Sequence, residues 1–375
     1  MVAHQAVNKV CIAHLTVVRQ LTPGQLKQLR YEYLSITKLE GCCWTTYAFH
    51  CGPEIKPYVL CIPRPFQGLL GRKLFKWLVA FFISNKVDHL LLRHDTFDPF
   101  ALLFAPLIGN RSSVHHAKEC AELLLIKPGI KGKLASLLER ITGRIVVSTS
   151  KAIFGVTHEI AQYECSSHHI KKPICVYSNG ILPSEVDVLA DQRSTNAVHA
   201  AFICGTFSAW HGLEKLFYAA QECCAEDLPC RLVFHLIGRA SARQFEQAAE
   251  ISSDCIRFET YGTMNEAEYI PILQLCDIGI ASLALERKGL HEASTLKVRE
   301  MLAFGLPMYS GHKDLALPEA EDYIKVVNII SINEIVEFGL SAKTLSRKYV
   351  RSRSLERIDK AAAMQVVVSF LRSLR

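Results

Sequence analysis

Charge gathers in one stretch of this chain. Arg287, Lys288, Glu292, Lys297 and Glu300 follow closely on one another, and Gly305 with Pro307 then makes a firm helix stop. Ser294 is a fair N-cap, which puts Leu296 and Lys297 in the first turn of a helix. A cation there opposes the helix macrodipole, and Arg287 and Lys288 just upstream deepen the conflict. A bound anion would resolve it. Lys297 and Glu300 are three residues apart and share a face, so the cation can meet a phosphate while the carboxylate meets a sugar's hydroxyls. The plain structural alternative is an exposed helix start laced with salt bridges.

A second stretch invites an anion by its shape. Residues 201–204 are apolar, Gly205 and Thr206 open a short loop, and a helix starts near His211 and Gly212. Helix N-termini carry unpaired N–H groups and a partial positive charge, so they attract phosphates, and glycine lets a ligand approach the backbone. The loop lacks the G-x-G-x-x-G of nicotinamide sites. Gly238-Arg239 and Tyr261-Gly262 each directly follow a strand candidate, where exposed backbone can hydrogen-bond a flat base. An ordinary α/β loop is the alternative for each.

Metal chemistry has little to stand on. No D-x-D follows a strand, and Asp95 and Asp98 are wrongly spaced for one, so no metal is expected. Cys165 with His168 and His169 resembles part of a ligand set that nothing nearby completes. The 14 cysteines include no C-x-x-C pair, and several sit in apolar runs, as do Cys11 and Cys175. They read as buried free thiols in a reducing compartment.

These residues need a scaffold, and the chain reads as alternating strands and helices. In the first half, strand candidates lie at 9–15, 42–49, 89–92 and 144–148, with helices at 25–38, 74–83, 98–107, 132–141 and 154–163. In the second half, strands at 200–204, 232–237, 257–261, 277–281 and 308–310 alternate with helices at 212–225, 241–251, 266–275 and 295–304. Such alternation implies βαβ units, a parallel sheet in each half, and two Rossmann-like domains joined around residues 172–180. Ligands of such sheets bind beyond the carboxyl ends of the strands, where the loops singled out above lie. A last helix, 354–374, has no strand after it. Half of the 375 residues are apolar and about a fifth are charged, as in a well-cored protein, and the runs 77–83 and 100–108 are too short to span a bilayer. Residues 1–15 lack the features of a secretory signal, so a cytosolic-side protein is expected. Residues 1–180 carry 22 Lys and Arg against 11 Asp and Glu, whereas the remainder carries 21 against 25. That asymmetry suggests two bodies with different partners.

With these segments in order, the second half resembles a GT-B glycosyltransferase of the retaining family 4, the group-1 glycosyltransferases, of bacterial surface-polysaccharide type. The likeness covers roughly residues 170–310: Val176-Tyr-Ser-Asn-Gly-Ile181, the loop 205–212, Leu236-Ile-Gly238, Tyr261-Gly262, Cys276-Asp-Ile-Gly-Ile-Ala-Ser282, and the stretch from Glu292 to Pro307. Glu292 and Glu300 have the family's E-x7-E spacing, and Glu300-Met-Leu-Ala-Phe-Gly-Leu-Pro307 is its most specific signature. The first half resembles the acceptor domain less specifically. Gly24 stands in its first glycine turn, and residues 93–100 and 114–119 look like bacterial polysaccharide members. The resemblance implies an acceptor-binding domain over 1–175, a nucleotide-sugar-binding domain over 176–350, and a helix over 351–375 that crosses back onto the first domain, the two domains facing a cleft.

The resemblance also implies roles. Glu300 would grip the ribose of the nucleotide and Glu292 would lie near the transferred sugar. Gly205, Thr206, His211, Gly212, Gly238, Tyr261, Gly262, Leu296 and Gly24 would line the donor. Many members place an Arg and a Lys in the glycine loop, where this chain has Thr206 and His211, so Arg287 and Lys297 are expected to replace them. Configuration would be retained without a metal, the leaving phosphate helping to deprotonate the acceptor, and His115 or His116 would contact donor or acceptor. The acceptor would be a lipid-linked oligosaccharide. Residues 64–86 mix Arg72, Lys73 and Lys76 with Phe75, Trp77, Phe81 and Phe82, and Lys127, Lys131 and Lys133 follow, which suits the inner face of an anionic membrane. An internal helix with a basic outer face is the alternative there. No nucleic-acid motif is present. A sugar-nucleotide epimerase and a non-catalytic partner subunit of the same fold are the competing readings, and an NAD-dependent oxidoreductase is disfavoured by the absent fingerprint.

Overall fold

A computed structural model describes residues 9–126, 129–224, 228–317 and 321–374. Lys127 and residues 1–8 lie outside them. The chain forms two compact units, one joining the chain up to Leu182 with the stretch from Asp359 onward, the other running from Pro183 to Ile358.

The first unit is a seven-stranded parallel sheet. Its strands are β1 (Val10–Val17), β2 (Cys42–His50), β3 (Val59–Cys61), β4 (His89–Arg93), β5 (Arg111–His115), β6 (Ile153–Gly155) and β7 (Ile174–Val176), in the order β3-β2-β1-β4-β5-β6-β7. Its helices are α1 (Pro23–Ser35), α2 (Leu69–Ser84), α3 (Ala101–Phe104), α4 (Glu119–Ile126), α5 (Ile130–Thr149) and α6 (His158–Ser167). The second unit has six parallel strands: β8 (Ala197–Thr206), β9 (Arg231–Arg239), β10 (Ile256–Gly262), β11 (Ile278–Ile280), β12 (Met308–Ser310) and β13 (Ile324–Val326), ordered β10-β9-β8-β11-β12-β13. Helices α7 (Leu213–Gln221), α8 (Ala242–Ile251), α9 (Glu266–Leu275), α10 (Leu296–Phe304), α11 (Ile332–Lys343) and α12 (Arg347–Ile358) complete it, and α13 (Lys360–Ser373) belongs to the first unit.

Both sheets are covered on two faces, which is why their inner strands are nearly continuous apolar runs. In β1, Val10 and Ile12 face α13, whereas Ala13, Leu15 and Val17 face the cluster containing Trp77 of α2 and Val146 of α5. Met364, Val367, Val368 and Leu371 of α13 are fully buried against the first sheet. Each such side chain contributes about 2 kcal/mol by burial. In the second unit α7, α8 and α11 pack on one face of the sheet, burying Leu216, Phe217, Ala248 and Ile335. A capping box formed by Thr22 and Gln25, with Pro23 in the first turn, starts α1.

Several local expectations change. Residues 144–148 form the end of α5 instead of a strand, because Val146 and Val147 are buried on the same helix face as Gly143. Pro106, which lacks an N–H, confines 98–107 to the short α3 and a 3₁₀ turn. Residues 154–163 divide into β6 and α6, which Thr157 caps by accepting from the Ile160 N–H at 3.3 Å. The terminal helix is broken at Asp359: its backbone is extended, its Oδ1 accepts from the Ala361 N–H at 2.6 Å, and the Lys360 N–H donates to the Ile181 carbonyl at 2.8 Å. Arg347–Ile358 therefore stays with the second unit while the last helix joins the first. The cysteines are all free, but Cys43 and Cys224 are exposed.

The expected basic surface of α2 is also corrected. Arg72, Lys73 and Lys76 are buried. Lys76 pairs with Asp98, which also accepts from Trp77 Nε1 at 2.8 Å, and Lys73 Nζ lies 3.3 Å from Asp95 Oδ2. These cations face inward because carboxylates of the loop after β4 meet them there.

Candidate nucleotide-sugar site

In the second unit the strand order reverses between β8 and β11, so the chain leaves these neighbours in opposite directions and opens a crevice beyond their carboxyl ends. The two loops that border it are joined by backbone hydrogen bonds, Leu283 N–H to His211 carbonyl at 2.9 Å and Ala284 N–H to Trp210 carbonyl at 3.3 Å. Gly212 permits this contact. Its φ is +74°, and a Cβ there would lie 2.9 Å from that of Ala284. At the end of β9, a Cβ on Gly238 (φ +142°) would fall 2.0 Å from the Cys204 carbonyl oxygen, so only glycine lets the ends of β8 and β9 lie together. Gly205 and Thr206 are exposed at the tip of β8, with Gly262 at the end of β10.

His211 accepts the Ser208 N–H on Nδ1 at 2.9 Å. Burial lowers its pKa, so the ring is neutral, and the proton sits on Nε2 as a donor.

At the head of α10 the N-cap is Thr295, one residue beyond the expected Ser294, and its side chain makes no capping hydrogen bond. Lys297 Nζ lies 3.1 Å from Glu300 Oε2, donates to the Tyr269 hydroxyl at 3.1 Å, and stands over the Tyr269 ring. The lysine side chain is 41 % exposed and the glutamate 3 %, so the ammonium is the group a ligand meets first. Burial would lower the lysine's pKa, but Glu300 and Tyr269 outweigh it and the pKa is raised. Arg299, on the opposite face, is fully buried and paired with Asp314. Glu292 is half-buried in the loop before α10, where its backbone pairs with Lys313. Arg287 lies in a 3₁₀ turn after β11; it donates to the Ala209 carbonyl at 2.7 Å and pairs with Glu214 at 2.5 Å. It thus touches the glycine loop itself. Lys288 stands over the Trp210 ring, and Lys215 ties Glu286 and the Leu283 carbonyl to α7.

Gly205, Thr206, His211, Gly212, Arg287, Glu292, Leu296, Lys297 and Glu300 therefore come from the loops and helix head at one switch point. Tyr261 differs. Its hydroxyl bonds His235 Nδ1 at 2.8 Å, and it lines a groove of about 320 Å³ with His199, Arg231 and Arg257 over β8–β10. Its backbone stands beside Gly262 at the end of β10. Tyr269, Lys215 and Trp210 were not foreseen, since nothing in the sequence ties α9 to α10 or α7 to the loop after β11.

Gly24 and His115 belong to the first unit. Gly24 is exposed in the first turn of α1. His115, expected to contact substrate, has no exposed surface, and no ligand can reach it in this structure. It stacks on His94 with 4.6 Å between centroids and lies 3.3 Å from Glu119. The exposed neighbour is His116. His94, His115 and Glu119 bring potential ligand atoms within 4.8 Å of one another. Their rings, however, are inclined by only 21°, so the in-plane lone pairs run side by side instead of converging, and His94 Nε2 is already bonded to Glu139 at 2.7 Å. His94 is thus held in an ion pair with Glu139, with His115 stacked beside it. Cys165 and His168 are buried beside it, His168 facing Glu164 at 3.9 Å.

No protein-family model matches the chain, and no curated protein matches it in sequence. Solved structures do. The apo form of a lipopolysaccharide outer core galactosyltransferase, WaaB, matches with a TM-score of 0.60 at 12 % identity, covering 97 % of this chain and 99 % of that one. A sucrose-phosphate synthase from Thermosynechococcus elongatus matches at 0.63 and 14 % identity, with the same coverage of both chains. A UDP-forming α,α-trehalose-phosphate synthase from Burkholderia vietnamiensis matches at 0.59 and 11 %, covering 98 % of this chain and all of the other. Two parallel Rossmann-like sheets, matched over nearly the whole of these chains, give this protein the GT-B fold.

Proposed function

We propose that the protein is a retaining glycosyltransferase that moves a hexose from a UDP- or GDP-linked donor to a growing lipid-linked bacterial glycan, O-antigen or capsule, at the inner face of the plasma membrane and without a metal. The observation that carries this reading is the cationic head of α10 beside the glycine loop, with Lys297 3.1 Å from the buried Glu300. Structural relatives described as a galactosyltransferase and a UDP-forming synthase support the donor class.

The donor's diphosphate lies against the loop 205–212 and the first N–H groups of α10, facing Lys297, while Glu300 accepts from the ribose hydroxyls. Backbone at Gly238 and Gly262 borders the base, and Glu292 lies by the transferred sugar. Arg287, bonded to Ala209 and Glu214, positions the loop. The bond from C1 to the diphosphate oxygen breaks with its electron pair on that oxygen, where Lys297 and the helix N–H groups stabilise the charge. The acceptor hydroxyl oxygen bonds C1 on the same face, and its proton passes to the departing phosphate. His116 takes the substrate contact that buried His115 cannot make.

A thermal-shift panel of UDP, GDP, ADP, CMP and NAD on wild type and Glu300→Ala tests this. One nucleoside diphosphate should raise the melting temperature by a few degrees, and the variant should keep the fold but lose both that response and sugar transfer. Wild-type turnover in the variant would sink the site assignment. Silence toward every nucleotide would favour the non-catalytic subunit, and conversion of donor without acceptor the epimerase.

A further inference from the structure

Helix α5 is built inside out. Over its first three turns the stripe turned to the protein is Gly132, Ser136, Glu139, Thr142 and Gly143, and the stripe turned outward is Ile130, Leu134, Leu137, Leu138 and Ile141. A surface helix of a water-facing domain does the reverse. The inner stripe has a reason: Glu139 belongs to the buried network with His94, and a Cβ on Gly143 would lie 2.7 Å from that carboxylate. Among the described residues nothing covers the outer stripe, and Ile130 is 85 % exposed.

The neighbouring elements extend the same surface. Helix α5 packs against α4 and against α3, and α3 also meets α2. Leu103 of α3 is 64 % exposed and Phe82 of α2 66 %. Scattered single leucines need no explanation, but adjoining helices that all present them mark an interaction site. Charge says what kind. Lys131, Lys133, Arg140 and Arg144 are exposed on α5, and the only carboxylate in α2, α3 and α5 is the buried Glu139.

We infer that this α2–α3–α5 face docks on an anionic lipid bilayer, the leucines entering the boundary between headgroups and acyl chains and the cations meeting lipid phosphates. A second copy of the chain is a poorer occupant, since two such faces would set cations against cations with no carboxylate to pair them. The contact rests on the proposed lipid-linked acceptor for its purpose only. It also relocates the membrane surface: the cations of α2 are buried, and those of α5 take their place.

The test is cosedimentation of the full chain with vesicles of phosphatidylcholine alone or mixed with phosphatidylglycerol. Wild type should bind the mixed vesicles and bind the neutral ones much less. Lys131→Gln/Arg140→Gln should weaken binding about 25-fold, from about five-fold per charge, and Leu134→Asn/Leu138→Asn should weaken it comparably. All four positions are exposed, so circular dichroism and melting temperature should not change. Failure of wild type to bind anionic vesicles, or binding by both variants as tight as that of wild type, overturns the inference. So does a wild-type dimer that the leucine variant dissociates, which would make the face a self-association surface. The nucleotide-induced thermal shift is read on the same samples and reports on the donor site alone.

Discussion

The imidazoles of His94 and His115 are stacked, yet they titrate in opposite directions. Burial lowers both. Beside His94 the Glu139 carboxylate at 2.7 Å outweighs burial, and the pKa rises to about 9; His115 has no hydrogen-bond partner on either nitrogen and faces the His94 cation, so it falls to about 3. The folded state thus holds the His94 proton more tightly than the unfolded chain, where histidine titrates near 6.5. That stabilisation is complete below about pH 6.5 and is lost as the pH rises through about 9. Glu139→Gln should cost about 3–5 kcal/mol and flatten the alkaline arm of melting temperature against pH. A variant curve that stays parallel to wild type across that window would refute the ion pair. The pair joins positions 45 residues apart, and no local pattern announces it. Lys297 and Glu300 could be matched in advance because the three-residue spacing and the helix stop are local.

At the scale of the element, ends were harder to read than interiors. Strands β1, β4, β8 and β9 announce themselves by apolar runs, and α8, α9 and α10 by their length between strands. The run Ile145-Val146-Val147 suits a strand as well as a helix; it becomes the last turn of α5 because its valines complete a helical face against the first sheet. Asp359 divides what looks like one terminal helix, since its side chain caps α13 while its backbone bridges to Ile181. Asp359→Ala removes that cap and should cost about 1 kcal/mol, seen as a lower melting temperature. An unchanged melting temperature would mean that packing of α13 alone holds the break.

The molecule as a whole repeats one design: each unit has a central strand with the order reversing beside it. In the second unit the loops at that reversal bring Arg287 and Lys297 beside the head of α10, and under the proposed mechanism a chelator should leave sugar transfer unchanged. Loss of activity restored by manganese would overturn the metal-free mechanism. The charge asymmetry between the halves also finds a physical address. Lys76 is neutralised by Asp98 and adds nothing to the first half's positive excess, whereas Lys131, Lys133, Arg140 and Arg144 carry part of that excess exposed along α5.

By itself the sequence determined the alternation of strands and helices, the two Rossmann-like sheets, and the order of the loops that meet at the switch point. Those follow from periodicity, glycine placement and charge within a few residues of one another. Only the tertiary structure decided which faces are covered. It buried His115, Lys73 and Lys76, turned the side chain of Tyr261 toward His235, set Tyr269 against Lys297, and left the leucines of α5 outside. Glu32 is the plainest case: its carboxylate accepts from His14, Trp44, Thr46 and Tyr177, side chains from two strands and the segment after β7, and is held far below its ordinary pKa despite full burial. A side chain's period along the chain is local, but the neighbour that covers or pairs with it arrives from a distant segment, and that choice is made only when the chain closes on itself.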